Sequence, residues 1–256
     1  VAVGKPVVLV LYGPGIFSVN WAEKHCAAIL EAFMPGPSAG KVISDVLDGT
    51  VNPGGKLTMT VPRTPGQIPI YYNHRVGSGY NDGSDSTVAA VFTGGYVDGP
   101  SDPLYCFGYG LSYASFELSE LAISDYEVST DGEVIIQCKI KNISDRSGDE
   151  VVQLYTRFIE AHVTRPNMQL SGFKRINLKP GEEKMVIFHL KMNQLGYYNE
   201  HMEFVVEPGN MDVMLGTSSR TLSLKAKIKL IGKTVNVSGK RSYVCPVRVE
   251  DIQETN

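Results

Sequence analysis

What this sequence lacks narrows its work before any motif is read. No run approaches the roughly 20 consecutive apolar residues that a membrane-crossing helix needs; the longest aliphatic stretch is VVLVLY at residues 7–12. Neither sign of charge dominates. With 24 Lys and Arg against 27 Asp and Glu, the formal net charge of −3 gives no broad field to attract nucleic acid or an anionic membrane, and a neutral substrate fits better. Cysteine is scarce: Cys26, Cys106, Cys138 and Cys245 lie far apart, in none of the CxxC spacings of zinc or thiol redox sites. A chain this long needs no staples, so four reduced thiols are expected, which leans towards a cytoplasmic protein. The five histidines, His25, His74, His162, His189 and His201, show no HExxH or HxxxH spacing, so no metal is expected. No GxSxG elbow marks a serine nucleophile. The chain opens on Val1 without methionine, so the want of a leader excludes nothing.

What is present is ordinary globular composition, 43% apolar and 20% charged over 256 residues, a length that suits two modest domains. The first hundred or so residues alternate short apolar runs with helical patterns. Residues 7–12 are continuous and β-branched, as a parallel strand buried on both faces should be. A GPG turn follows at residues 13–15, then a helical stretch over 16–25, then residues 27–33, which periodicity alone leaves open between helix and strand. Ser38 can cap the next helix, where Val42, Ile43, Val46 and Leu47 recur at helical spacing, and Gly49 suits the left-handed position after it. A turn at residues 52–55 and a strand over 57–61 complete a β-α-β-α-β layer. Residues 64–102, rich in Gly, Ser, Asp and Pro, have no sustained period and are expected to form a long loop of the kind that carries function.

Beyond Ser112 the pattern changes to short alternating runs over 116–124, 133–142, 150–158, 170–178, 184–190, 204–207, 211–215 and 222–230. The turn signals SDRSGD (144–149), KPGE (179–182) and EPGN (207–210) separate them, as in an all-β sandwich. The expected division is an α/β layer over residues 1–112, the sandwich over 113–232, and a tail over 233–256 with one further strand near 242–249.

GPGIFS after a strand starts like a dinucleotide fingerprint, with Gly13 and Gly15 in place. Ser18 stands where the third glycine belongs, however, Pro14 removes an N–H, and no acid follows at the ribose-binding distance; the turn reads as structural. Acids are plentiful, but Glu31 sits in an apolar run, Asp45 and Asp48 on a helix, and Asp82 and Asp85 in the loop, and spacing alone cannot select a catalytic pair. Tyr71, Tyr72, Asn73, His74 and Arg75 are a better cluster. Aromatic faces stack on the C–H faces of sugars, while amide, imidazole and guanidinium groups bond hydroxyls; the competing reading makes these residues anchors of the loop. Asn142-Ile-Ser144 and Asn236-Val-Ser238 match the glycosylation acceptor pattern, which is short enough to arise by chance, and both are taken as unmodified.

Longer segments carry a resemblance. KPVVLVL (5–11), NWAEKHCAAILEAFMPGPSAGKVISDVLDGTVNPGGKL (20–57) and PLYCFGYGLSYASF (103–116) resemble, in order, the second half of the α/β sandwich domain of glycoside hydrolase family 3. GDEVVQLYTR (148–157), RPNMQLSGFKRINLKPGE (165–182) and EPGNMDVMLGTSS (207–219) resemble the fibronectin type III-like domain that follows it. Departures are modest: Cys106 stands where the family commonly has proline, and PGPSAG (35–40) replaces a glycine-richer variant. The resemblance implies an incomplete α/β sandwich with a mostly parallel sheet, followed by an immunoglobulin-like or fibronectin type III-like sandwich, and it reads residues 27–33 as a strand.

For function the resemblance implies retaining hydrolysis of β-linked glucosides, xylosides or short oligosaccharides from the non-reducing end, with no cofactor and no metal. One carboxylate attacks the anomeric carbon while a second protonates the leaving oxygen and then activates water. In the family the nucleophilic Asp lies on a (β/α)8 barrel and the acid/base Glu commonly lies on a loop upstream of the KPVVLVL strand. Both would precede Val1, so this chain is expected to be a fragment or one piece of a cleaved or separately chained enzyme, inactive alone, whose partners are the barrel domain and the glycoside. Tyr72, Asn73, His74 and Arg75 are the candidate substrate-binding residues. An exposed edge of the incomplete α/β sheet would make the chain alone self-associate, as a homo-oligomer or otherwise. The alternative from another class is a non-catalytic module that binds carbohydrate or a protein partner.

Overall fold

Val8, Leu9, Val10 and Leu11 form β1 (Val8–Leu11) in a computed structural model that describes residues 3–75 and 100–252. After it come α1 (Asn20–His25), β2 (Ala28–Glu31) and α2 (Ala39–Leu47). β2 lies parallel to β1, in register from Val8 against Ala28 to Leu11 against Glu31. Residues 27–33 therefore hold a strand, as the resemblance implied. The chain divides into two compact units, and these elements belong to the first, which takes in residues 3–53, 57–72 and 100–107 of those described.

Several local expectations need correction. Ser38 stands at the N-cap of α2, but its side chain makes no capping hydrogen bond. Gly49 does adopt the left-handed conformation, φ +83°, and its N–H closes the helix on Val46 O at 3.2 Å. Residues 57–61 form no strand. Among the described residues only Val61 pairs, as an antiparallel bridge with Tyr105, and Pro62 has no N–H to carry the ladder further. β1 is not buried on both faces either: in a two-stranded sheet Val8 keeps 45% of its surface exposed.

α2 carries the expected apolar spacing yet buries none of its residues, and Val42 and Leu47 are both exposed, as are Trp21 and Met34. An apolar stripe left in water favours association. The chain should therefore sediment as species heavier than its 28.0 kDa monomer. Replacing Val42 and Leu47 with glutamate should return it to monomer; a parent that is already monomeric and monodisperse at micromolar concentration would contradict this.

The second unit takes in residues 54–56, 73–75 and 108–252. Its strands are β3 (Phe116–Ile123), β4 (Glu127–Ser129), β5 (Glu133–Asn142), β6 (Gly148–Phe158), β7 (Gln169–Leu178), β8 (Glu183–Lys191), β9 (Tyr197–Tyr198), β10 (Phe204–Val206), β11 (Gly209–Gly216), β12 (Leu224–Ile231), β13 (Val235–Asn236) and β14 (Val247–Asp251). A five-stranded sheet in the order β4-β12-β11-β6-β7 and a four-stranded sheet in the order β14-β8-β5-β3 supply the sandwich, with a small β13-β10-β9 sheet besides. Alternation is strict in β5, where Val134, Ile136, Cys138 and Ile140 are fully buried and the residues between them keep more contact with solvent; Leu154, Val213, Leu215 and Leu230 of the other sheet are fully buried as well. The KPGE turn forms between β7 and β8. Gly181 takes φ +74° and Glu182 N–H donates to Lys179 O at 3.0 Å, the geometry that Pro followed by Gly prescribes for a type II turn.

The segment expected as a tail supplies β13, and β14 closes one edge of the four-stranded sheet against β8. The strand begins at Val247 rather than near residue 242 because Pro246 lends only its carbonyl, which accepts from His189 N–H at 2.9 Å. All four cysteines are free thiols. Burial pushes the Cys138 thiol up to about 12 and the Cys245 thiol to about 11, far from the thiolate that nucleophilic chemistry needs. Asn142 is fully buried and its amide donates to Arg146 O and Leu178 O, which leaves no room for a glycan; Asn236 is exposed.

Candidate functional site

The candidate residues flank a segment whose central part, residues 76–99, lies outside the described residues. In the first unit, the chain on either side of it is pinned together. A 3-10 turn over Pro65–Gln67 sets Gln67 inward, 4% exposed, where its side chain accepts from Arg63 N–H and donates to Pro100 O at 2.8 Å and to Asp102 O at 3.3 Å. Arg63 pairs with Asp102 at 2.9 Å, and Asn20 donates to Arg63 O. Tyr72 belongs to this unit and stacks on Phe107, with ring centroids 4.2 Å apart and planes inclined by 18°.

Asn73, His74 and Arg75 belong to the second unit, where they meet the residues before β7. Arg75 forms an antiparallel bridge with Pro166, and Asn167 N–H donates to His74 O at 2.9 Å. The imidazole lies with Nδ1 3.1 Å from Arg75 O and Nε2 3.0 Å from the Asn167 side-chain nitrogen. Both ring nitrogens are thus engaged within the protein. The Asn73 side chain, by contrast, has no hydrogen-bond partner among the described residues.

Sequence reasoning missed the cluster next to this one. The Arg165 guanidinium lies 4.0 Å above the Tyr197 ring and 5.8 Å from that of Phe158, a cation over aromatic faces, and burial holds its pKa below the usual arginine range. Tyr197 O–H donates to Glu207 Oε2 at 2.5 Å, and His162 Nδ1 lies 3.1 Å from the same oxygen. Burial of Glu207 opposes its ionisation, but the bonds from Tyr197 and His162 outweigh that and leave the carboxyl below its ordinary value. Its bonded carboxylate therefore contributes stability that is present above about pH 4.5 and fades as pH falls through the depressed folded-state value. His162, raised first by its bond to Glu207, works the other way, stabilising below its ordinary value and losing that effect as pH rises through the raised one. Glu207→Gln should cost about 1.5–3 kcal/mol above pH 5 and flatten the acid side of a melting-temperature profile; an unchanged profile would count against the network. Arg165 and Asn167 stand in the RPNMQLSGF motif, but a contact between Asn167 and His74, 93 residues away, has no local signal.

Gly13 N–H donates to Phe33 O at 2.9 Å, so the GPG turn uses its donor on structure. Glu31, at the carboxyl end of β2, is the one carboxyl among the described residues whose pKa is raised; burial raises it and a bond from Phe33 N–H opposes this. No group of His, Cys, Asp and Glu among the described residues is arranged to hold a metal.

The comparisons with known proteins fit this architecture. Residues 1–113 match the Glycosyl hydrolase family 3 C-terminal domain, and residues 150–219 match the Fibronectin type III-like domain. The chain belongs to glycoside hydrolase family 3. It is 39% identical over 219 residues to the periplasmic beta-glucosidase of Salmonella typhimurium, covering 85% of this chain and 28% of that protein. It is 38% identical over 225 residues to a beta-xylosidase of Formosa agariphila, with 87% and 29% covered. The crystal structure of beta-glucosidase from Listeria innocua in complex with glucose superposes with a TM-score of 0.83 at 38% identity, covering 91% of this chain and 32% of that one. The chain thus spans under a third of the length of these relatives.

Within the family frame, two glycine-bearing motifs acquire a physical reason. In FGYGLSY, Gly108 has φ +78° and a Cβ there would stand 2.2 Å from Gln153 Oε1; a Cβ on Gly110 would stand 2.2 Å from Gly55 O. Only glycine lets these segments approach so closely. In NPGGKL, Lys56 reaches Glu150 of β6 at 2.8 Å and donates to Gly110 O at 2.8 Å. Gln153, also of β6, donates to Gly108 O and Thr217 O and accepts from Tyr155 O–H. These family motifs serve docking onto β6 in the second unit.

Proposed function

We propose that this chain works as the C-terminal part of a retaining β-glycosidase that hydrolyses β-linked glucosides or xylosides from the non-reducing end. The observation that carries the reading is the succession of both family 3 domains in one chain that is 38–39% identical to a beta-glucosidase and a beta-xylosidase. The catalytic Asp and Glu are assigned to a barrel-bearing segment outside these residues, and the barrel domain and the glycoside are the partners. This chain supplies support and part of the rim.

Tyr72, Asn73, His74 and Arg75 are the proposed rim residues, with different tasks. The Asn73 amide, which has no hydrogen-bond partner among the described residues, is suited to meet a sugar hydroxyl. Tyr72 has one face against Phe107, and His74, engaged at both nitrogens, holds the segment. The test is to express the coding region with whatever precedes Val1 and to assay aryl β-glucoside and aryl β-xyloside hydrolysis beside the 256-residue chain. Activity in the longer product alone is the expected result. Hydrolysis by the 256-residue chain, retained through purification and lost on mutation within it, would overturn the assignment; a longer product inactive on both substrates would overturn the substrate class.

A further inference from the structure

We infer that Asn167 is the positioning residue of the 73–75 segment and sets the tautomer of His74, whose neutral ring carries its proton on Nδ1. The importance of this inference rests on the proposed rim; its geometry does not. Arg75 O can only accept, so the ring nitrogen 3.1 Å from it, Nδ1, must carry hydrogen. In a neutral ring Nε2 then holds a lone pair, and the group 3.0 Å away that can serve it is the side-chain amide of Asn167, donating through Nδ2. The reversed amide would set Oδ1 against that lone pair. One neutral tautomer thus satisfies the contacts on both sides of the ring, with Arg75 O deciding which.

Asn167 also grips this segment through its main chain. Its N–H donates to His74 O at 2.9 Å, and the neighbouring Pro166 bridges Arg75. One residue thus fixes both the path of the segment and the ring within it. Asn167 Oδ1 is buried and has no hydrogen-bond partner among the described residues. If the ring gains a second proton, Nε2 becomes a donor, and a half-turn of the amide brings Oδ1 to accept from it. Arg75 O and the Asn167 amide, which face the two ring nitrogens, carry no charge. The same side chain can satisfy both protonation states, but only the neutral one with the amide as placed.

The test reads the ring directly. The 256-residue chain, labelled with nitrogen-15 histidine, is observed at the alkaline end of the His74 titration, with the His74 signals assigned by their loss in His74→Gln. Nδ1 should appear at the protonated, pyrrole-type position and Nε2 at the unprotonated, pyridine-type position. In Asn167→Ala, removal of the donor should shift the Nε2 signal further towards the free pyridine-type position. In Asn167→Asp, a carboxylate beside Nε2 should make the doubly protonated signature persist to higher pH than in the parent. Protonation of Nε2 rather than Nδ1 in the parent would overturn the inference, as would a His74 spectrum unmoved by Asn167→Ala in a variant whose sandwich resonances are unchanged. If a variant does not fold, the parent spectrum alone decides. Failure of glycoside hydrolysis in the longer gene product would sink the rim reading and leave these signals where they are.

Discussion

Replacing Lys56 with alanine should lower the stability of the second unit by about 3–5 kcal/mol, because it leaves the Glu150 carboxylate buried without its counter-ion. For a domain of this size that is a fall of roughly 6–20 °C in melting temperature. The two side chains are 11% and 8% exposed, so water cannot screen the remaining charge as it would at a surface pair. Glu150→Ala should be equally severe, since the ammonium would keep only its bond to Gly110 O. Replacing both at once, Lys56→Met with Glu150→Leu, should recover most of the loss, because an apolar pair of similar volume carries no desolvation cost. Differential scanning calorimetry of the three variants checks this. If the singles melt within about 2 °C of the parent, the pair is solvated in solution and the docking of residues 54–56 onto β6 depends on something else.

That ion pair shows where sequence reading stopped. The strands of the sandwich were legible almost to the residue wherever alternation ran long enough: 133–142 was expected and β5 is Glu133–Asn142. The two-residue strands β9 and β13 were not, because two residues carry no period. Residues 57–61 alternate like a strand, but a strand needs a partner along its length, and one bridge to Tyr105 is all that forms among the described residues. Ser38 is a good capping residue by type and stands at the right place, yet a cap depends on the side-chain rotamer, which the sequence does not encode.

The candidate site was legible in composition and not in task. Tyr72, Asn73, His74 and Arg75 stood out as groups that suit sugars, and that much needs only residue types. What each one does depends on partners far along the chain. Phe107 occupies a face of Tyr72, and Asn167, together with the adjacent Arg75 O, occupies both nitrogens of His74, so the imidazole that reads as a donor to hydroxyls has its nitrogens engaged within the protein. Family motifs were more informative than spacing because they stand for packing that has already been solved. NPGGKL, FGYGLSY and GDEVVQLYTR lie far apart in sequence and meet at β6, the first two docking through Gly110 and Lys56 and the third supplying Glu150 and Gln153.

Phe188→Ala should be as damaging as the loss of Lys56, for an apolar reason. Phe188 sits on β8, fully buried, between Val247 and Ile136 in neighbouring strands. Across the core it faces Gly172 of β7: a Cβ built on that glycine would lie 3.0 Å from the Phe188 ring and 3.2 Å from Cys245 Cβ. The ring therefore fills the space that the glycine leaves. Deleting it removes buried apolar surface and opens a cavity that the backbone of two hydrogen-bonded sheets cannot collapse to fill, a cost of about 3–5 kcal/mol. Phe188→Leu should cost less, since it retains most of the buried volume. Gly172→Ala should cost about 1–3 kcal/mol from the opposite fault, overpacking against the same ring. The two faults are complementary, so Gly172→Ala placed in the Phe188→Leu background should destabilise less than it does in the parent. A double-mutant cycle read by urea denaturation measures that coupling; strict additivity would mean that Phe188 and Gly172 do not share the contact on which the core is argued to close.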